Sequence, residues 1–378
     1  MRNSRRGEVD PFIVMDVLRA ARQAEAAGRR IAHLEIGQPG FPAPKGALAA
    51  LGEAMQSGAL GYTEALGLPA LRARIARLYR DRYGIELNPE RVIVTAGSSA
   101  GFLLAFTALF DAGEKVGLGL PGYPSYRHIL KALSLEPVGI ETSAQTRYQP
   151  VPEELPEGLA GLIVASPGNP SGTMLDRDAL GGLLDWAAAN GTAFVSDEIY
   201  HGIDYGFRPV SALELTDDAW VINSFSKYWS MTGWRVGWMV VPEAQVRRVE
   251  RLAQNLFICA PHASQVAALA ALDCDDEAQA NLAVYAANRE MLLDRLPGMG
   301  FDRIAPPDGA FYIYADVSEM TRDSRAFAAE ILDRADVALT PGLDFDPGRG
   351  ARFLRFSYAA GTEEIAEGLD RLERFLGR

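Results

Sequence analysis

Only two cysteines, Cys259 and Cys274, occur in 378 residues. That is too few for a disulfide framework, and their spacing is not that of metal ligands, so reduced thiols are expected. Positive charge is also in short supply. Against 49 Asp and Glu there are 37 Lys and Arg, a net charge of −12, which argues against a general nucleic-acid binder needing a basic face. Long apolar runs are missing too. The opening "MRNSRRGEVDPFIVMDVL" has its apolar stretch broken by Asp16 and reads as neither signal peptide nor membrane anchor. What is present is core material: 48% hydrophobic residues, ample for two domains or one large one. A cytoplasmic enzyme is expected, with no nucleic-acid and no membrane partner.

Periodicity sorts the chain into two styles. Residues 11–28 carry apolar positions at helical spacing and stop at Gly28, and "IAHLEIGQPGFPAP" follows as a short strand entering a Pro/Gly loop. Residues 67–83 form a basic amphipathic helix with Pro69 in its first turn. From about residue 91, β-rich runs ("RVIVTA", "KVGLGL", "GLIVAS", "TAFVSDEIY", "AWVINSF") alternate with helical ones, the rhythm of βαβ units on a largely parallel sheet. Beyond about residue 270, helices over 276–297, 324–334 and 361–377 separate the strands "AFYIYADV", "VALT" and "RFLRFSY", an α+β pattern.

Four stretches carry chemistry. "TAGSSAG" places Gly97, Ser99 and Gly101 in the G-x-S-x-G spacing of a hydrolase nucleophile elbow. The same small residues at a helix start equally suit a phosphate cradle, or a plain turn. "SPGNPSGT" closes a strand with a rigid loop in which Asn169 precedes Pro170, a bond open to the cis form. In "FVSDEIY", Asp197 arrives at the carboxyl end of an apolar run, where an ionised carboxylate needs a cationic or hydrogen-bonding partner. Alternatively it caps a helix. "NSFSKYWSMTGWRVGW" sets Lys227 among serines and aromatics, so desolvation would lower its pKa and leave an amine able to form an imine with an aldehyde. Arg235, in the same stretch, suits a dianion.

Together, amine, cradle, arginine and carboxylate describe a site for pyridoxal phosphate. The chain resembles the class I and II aminotransferases of the aspartate aminotransferase superfamily, fold type I. The resemblance spans nearly the whole chain through "GYTEALGLPALR", "PGYPSY", "SPGNPSGT", "SDEIY", "SFSKYWSMTGWRVGW", "GAFY" and "RFLRFSYA". It implies that Lys227 forms the aldimine with the cofactor and acts as nucleophile and general base, in a ping-pong reaction. By the same likeness, Asp197 pairs with the pyridine nitrogen, Asn169 and Tyr200 bond the phenolic oxygen, and Tyr123 stacks on the ring. The amides of Ser98 and Ser99, with Ser224 and Arg235, hold the phosphate. Tyr62 matches a tyrosine that reaches the partner subunit's phosphate, which implies a homodimer with shared sites. Arg355 matches the arginine that grips the substrate α-carboxylate, with Gly37 and Asn169 beside it.

The departures bear on substrate. Some relatives that act on aspartate carry a lysine where Ser99 stands, so its absence argues against aspartate; by analogy with the family, neutral, apolar or aromatic donors are expected, with a 2-oxo acid such as 2-oxoglutarate as acceptor. Gly40 and Asp346 replace a usual aspartate and glycine in the loops over the substrate. The expected architecture is α/β, with a large cofactor-binding domain over residues 45–275 and a small α+β domain built from residues 1–44 and 276–378. The alternatives are a β-lyase of the same fold and, from another class, a serine hydrolase using Ser99. A non-catalytic regulator of this fold would need a DNA-binding module, for which no residues are left over.

Overall fold

The computed structural model describes residues 2–58 and 60–377. Among the described residues, twelve strands run in chain order as β1 (Ala32–His33), β2 (Val92–Thr95), β3 (Lys115–Leu120), β4 (Glu136–Glu141), β5 (Gly161–Ala165), β6 (Ala193–Asp197), β7 (Trp220–Ser224), β8 (Gly237–Val240), β9 (Tyr312–Asp316), β10 (Val337–Ala338), β11 (Thr340–Pro341) and β12 (Phe353–Ser357). The helices are α1 (Ile13–Ala26), α2 (Lys45–Ser57), α3 (Pro69–Tyr83), α4 (Gly97–Leu109), α5 (Pro124–Ala132), α6 (Arg177–Asn190), α7 (Val246–Leu256), α8 (His262–Ala271), α9 (Asp275–Arg295), α10 (Ser324–Ala335) and α11 (Thr362–Leu376).

The large sheet has seven strands in the order β2-β8-β7-β6-β5-β3-β4. Only β8 runs against its neighbours; the remaining pairings within the sheet are parallel. Its strands read as continuous apolar runs because both faces are covered. Leu162 and Val164 enter one core cluster while Ile163 between them enters the other, and Val221 and Ile222 divide in the same way. A parallel sheet of this kind gathers its strand ends on one edge. Residues 96–99, 121–123, 166–169, 197–200 and 225–227 all follow the carboxyl ends of parallel strands, the place where open α/β sheets bind ligands.

The second sheet, β11-β12-β9, is antiparallel, and Arg355 on β12 sits between Thr340 and Tyr314. The N-terminus joins this half of the molecule: β1 pairs in parallel with β10, and the Ser357 amide donates to the Leu34 carbonyl at 2.7 Å. The run "VALT" is therefore two short strands on two different sheets. The charges of α3 are more than a solvated face. Arg72 is buried and donates to the Val92 carbonyl at 2.9 Å and to Glu90 at 3.0 Å, tying helix to sheet. No helix among the described residues is long and apolar enough to cross a membrane.

Candidate active site

Along the carboxyl edge of the large sheet, facing β12, lies a cavity of about 220 Å³. Ten of the residues singled out from sequence line it: Gly37, Ser98, Ser99, Tyr123, Asn169, Asp197, Tyr200, Lys227, Arg235 and Arg355. Segments some three hundred residues apart converge here, so the local strand and turn signals of the sequence point to one place.

Asp197 ends β6. The Tyr126 hydroxyl donates to its Oδ2 and the Ile199 amide to its Oδ1 at 3.1 Å. Burial raises its pKa from 3.8 to about 6, with these two hydrogen bonds and the Lys227 charge opposing the rise. The Lys227 ammonium donates to the Gly37 carbonyl at 2.5 Å. Desolvation lowers its pKa from 10.5 to about 8, and the Arg355 charge pushes the same way. A carboxylate that protonates readily and an amine that deprotonates readily thus face one cavity. Opposed perturbations of this kind cluster at functional sites.

At one end of the cavity α4 begins at Gly97 with no side-chain cap, leaving its first amides free for an anion. Gly97 has φ +77°, and a Cβ there would stand 2.5 Å from Arg235 Nη2. Only glycine lets the guanidinium lie against the helix start. Ser226 and Thr232 complete that end of the wall. Ser224 does not reach it: its Oγ is fully buried, 2.8 Å from Ser226 Oγ and 3.1 Å from the Val236 carbonyl. Ser226 is on the wall, and its Oγ accepts from Ser224 Oγ.

At the other end, Arg355 donates through Nη1 to Asn169 Oδ1 at 2.8 Å and through Nη2 to the Glu35 carbonyl. Its Nε is buried without a partner, a donor waiting for an acceptor. Since the Asn169 oxygen is engaged, its amide NH₂ is the group left for a ligand. The Asn169–Pro170 bond is cis. Tyr200 and Tyr312 share a hydroxyl contact of 2.8 Å, and a Cβ on Gly37 would fall 1.9 Å from the Tyr312 hydroxyl. Gly37 is glycine because that oxygen occupies the space a side chain would need.

Tyr62 lies outside this wall and is 81% exposed. None of the four histidines lines the cavity. His201, for example, is buried between the Tyr83 hydroxyl (2.7 Å) and the Ser166 carbonyl (2.9 Å), so no histidine stands on the wall with Ser99, and the elbow spacing is the start of α4. Asp346 organises its own turn by accepting from the Gly348 and Arg349 amides, both at 3.0 Å. Arg349 in turn donates to the Thr142 and Leu120 carbonyls at 2.9 and 2.7 Å, joining that turn to the large sheet. The Gly40 amide donates to the Ala359 carbonyl at 2.8 Å.

Sequence reasoning passed over Tyr126, Tyr312, Ser226 and the apolar group Phe12, Val14 and Met15, all on the wall. Tyr126 was within reach, because it stands three residues after Tyr123 in "YPSY" and so shares its helical face. Nothing in local pattern ties residues 12–15 to a site on a distant sheet.

An amine, a buried carboxylate and an anion cradle arranged around one cavity form the donor set for an aldehyde-bearing, phosphorylated pyridine, and the residues present fit pyridoxal phosphate. Comparison with known proteins agrees. The family model for aminotransferase class I and II matches residues 29–372. A valine–pyruvate aminotransferase of Mycobacterium tuberculosis is 46% identical over 98% of this chain and 97% of its own. A (5-formylfuran-3-yl)methyl phosphate transaminase of Methanocaldococcus jannaschii is 34% identical over 98% of both chains. The crystal structure of an aminotransferase from Mycobacterium tuberculosis superposes with a TM-score of 0.97 at 45% identity, covering 100% of this chain and 99% of that one. The chain belongs to the class I and II aminotransferases, pyridoxal-phosphate-dependent enzymes of fold type I that move an amino group from an amino acid to a 2-oxo acid.

Proposed function

We propose that this enzyme takes neutral, apolar or aromatic L-amino acids as donors. The observation that carries the reading is the charge inventory of the wall. Its cations are Lys227, Arg235 and Arg355, and Arg235 is taken up by the phosphate cradle, so Arg355 alone is left for a substrate carboxylate. A donor with a second carboxylate would desolvate it unpaired, which is costly. The wall around the remaining space carries Phe12, Val14, Met15, Ile36 and Phe102. The relative named for valine and pyruvate supports the same direction.

Within this reading Lys227 holds the cofactor and moves the proton at the substrate α-carbon, its lowered pKa keeping part of the amine neutral near pH 8. Bound pyridoxal phosphate supplies an electron sink for charge developing at that carbon. Asp197 keeps the pyridine nitrogen protonated, while Tyr126 holds the carboxylate in line. Asn169 and Tyr200 would donate to the cofactor's phenolic oxygen, and Tyr123 would pack against its ring. The α4 amides of Ser98 and Ser99, with Ser226, Ser224 behind it and Arg235, hold the phosphate. Arg355, oriented by Asn169 and the Glu35 carbonyl, grips the α-carboxylate beside Gly37.

A homodimer in the cytoplasm completes the reading. Tyr62, exposed on its own chain, would serve the neighbouring subunit's phosphate, and the exposed apolar Met55, Leu256 and Ile258 give a surface for that contact. A division into a cofactor domain (45–275) and a terminal domain (1–44 with 276–378) is supported by the seven-stranded sheet lying within the first range and the two smaller sheets within the second. Borohydride fixation of pyridoxal phosphate at Lys227, lost in Lys227→Ala, tests the site. A donor panel run with both pyruvate and 2-oxoglutarate tests the substrates. Preference for aspartate over leucine would overturn the reading, and ammonia with pyruvate as sole products would replace it with the β-lyase alternative.

A further inference from the structure

Helix α1 begins at Ile13 with Phe12 in the cap position, and phenylalanine has no side-chain acceptor for the free amides of a helix start. The acceptor comes from the far end of the chain. Ile13 N–H donates to Asp344 Oδ1 at 3.0 Å and Val14 N–H to Asp344 Oδ2 at 2.9 Å, so one carboxylate takes both. Asp344 is fully buried, in the turn Gly342–Asp344 that leads from β11 towards β12 and Arg355. Its backbone carbonyl accepts from Arg127 Nη2 at 2.6 Å, and Arg127 lies on α5, the helix that begins directly after Tyr123. One residue therefore joins three parts of the site: the helix start whose Phe12, Val14 and Met15 line the cavity, the segment carrying Arg355, and the helix following Tyr123.

We propose that Asp344 is a positioning residue for donor specificity: its carboxylate latches the start of α1 over the cavity, holding Phe12, Val14 and Met15 as the wall that receives the donor side chain. The amides it binds are neutral and carry the positive end of the helix dipole, so a carboxylate is the strongest acceptor available there. Phe12 is held by this bond rather than by its own packing alone, its one aromatic contact being an edge-on approach to Tyr123 at 5.9 Å. The inference rests on the neutral-donor reading for its kinetic consequence, and on geometry alone for the latch.

The test uses the holoenzyme and two variants that break the same bonds from opposite sides. Asp344→Asn removes the charge with little change of shape. Ile13→Pro removes one donor at the first helical position, where proline is tolerated and where Phe12, at φ −85° and ψ 100°, already has the extended backbone a following proline requires. In both variants, amide exchange over residues 14–16 should quicken about tenfold or more, as expected for loss of a hydrogen bond to a charged group. KM for leucine should rise about tenfold, with kcat and the KM for alanine within about twofold of wild type, because alanine's methyl does not reach the wall. Unchanged exchange would overturn the latch whatever the donors prove to be. Quickened exchange with equal KM changes for alanine and leucine would overturn its role in specificity. If the wild-type enzyme prefers acidic donors, the substrate reading fails by itself, and the exchange measurement still decides whether Asp344 latches α1.

Discussion

Asp197 is a residue whose service to the cofactor should cost the apoprotein stability, and the cost can be given a sign and a size. Its carboxyl is 4% exposed and its pKa stands near 6 in the fold, against 3.8 in an unfolded chain. Below pH 3.8 both states hold the proton and the group contributes no difference. Between pH 3.8 and 6 the unfolded chain releases its proton first, so the folded state binds more protons and stability falls as pH rises. Above pH 6 the penalty is complete, at most about 3 kcal/mol from a shift of roughly two units at about 1.4 kcal/mol each. Asp197→Asn removes the titration and keeps an oxygen to accept from Tyr126. Urea unfolding of the two apoproteins, compared at each pH from 4 to 8, should show the variant gaining stability relative to wild type as pH rises. The gain should level off above pH 6 at about 1–3 kcal/mol. The same variant in the holoenzyme should lose activity by a factor of a hundred or more, since the counter-charge that keeps the pyridine nitrogen protonated is gone. A stability difference that stays constant across this range, or shrinks towards pH 8, would refute the reasoning about burial.

The cradle and the substrate end give further tests. Gly97→Ala places a methyl against Arg235 Nη2 in a backbone region unfavourable to alanine, and should weaken pyridoxal phosphate binding about tenfold to a hundredfold in a spectrophotometric titration. Gly37→Ala drives the Tyr312 hydroxyl from its 1.9 Å overlap and off Tyr200, and should cut kcat/KM about tenfold, with part of the loss recovered in the double variant with Tyr312→Phe. Tyr126→Phe deprives the Asp197 carboxylate of a donor and should raise the Asp197 pKa by about one unit, read as an upward move of the acid limb of the pH–rate profile. If sites are shared, mixing Lys227→Ala with Tyr62→Ala subunits should restore roughly a quarter of wild-type activity, because half of the reassorted dimers carry one intact site; no recovery would remove Tyr62 from the partner's site.

The sequence was most legible where local physics and chemistry coincide. Strands β5, β6 and β7 declare themselves by unbroken apolar runs, and each carries a residue of the site at its carboxyl end or in the turn that follows, so reading the strand located Asn169, Asp197 and Lys227 together. The strand β4, "EPVGIE", went unread because it lies at the sheet's edge, holding Pro137 and Gly139 and burying only Ile140. Ser226 went unread for another reason: two serines flank Phe225, and only the tertiary turn back to Val236 decides which of them reaches the cavity wall. Least legible were the contacts made across the whole chain length. Nothing near "DPFIV" announces that α1 will be capped, and nothing near "PGLDF" announces an unsatisfied helix 330 residues earlier. Each half leaves a buried polar group without a partner, and only when β1 pairs with β10 and brings the two ends of the chain together does either find one. On the proposed reading, specificity sits in the least readable part of the site. The residues proposed for the cofactor follow strand ends that the chain must form anyway, whereas the wall proposed for the donor side chain depends on how the N-terminal helix is anchored to a turn it reaches only in the finished fold.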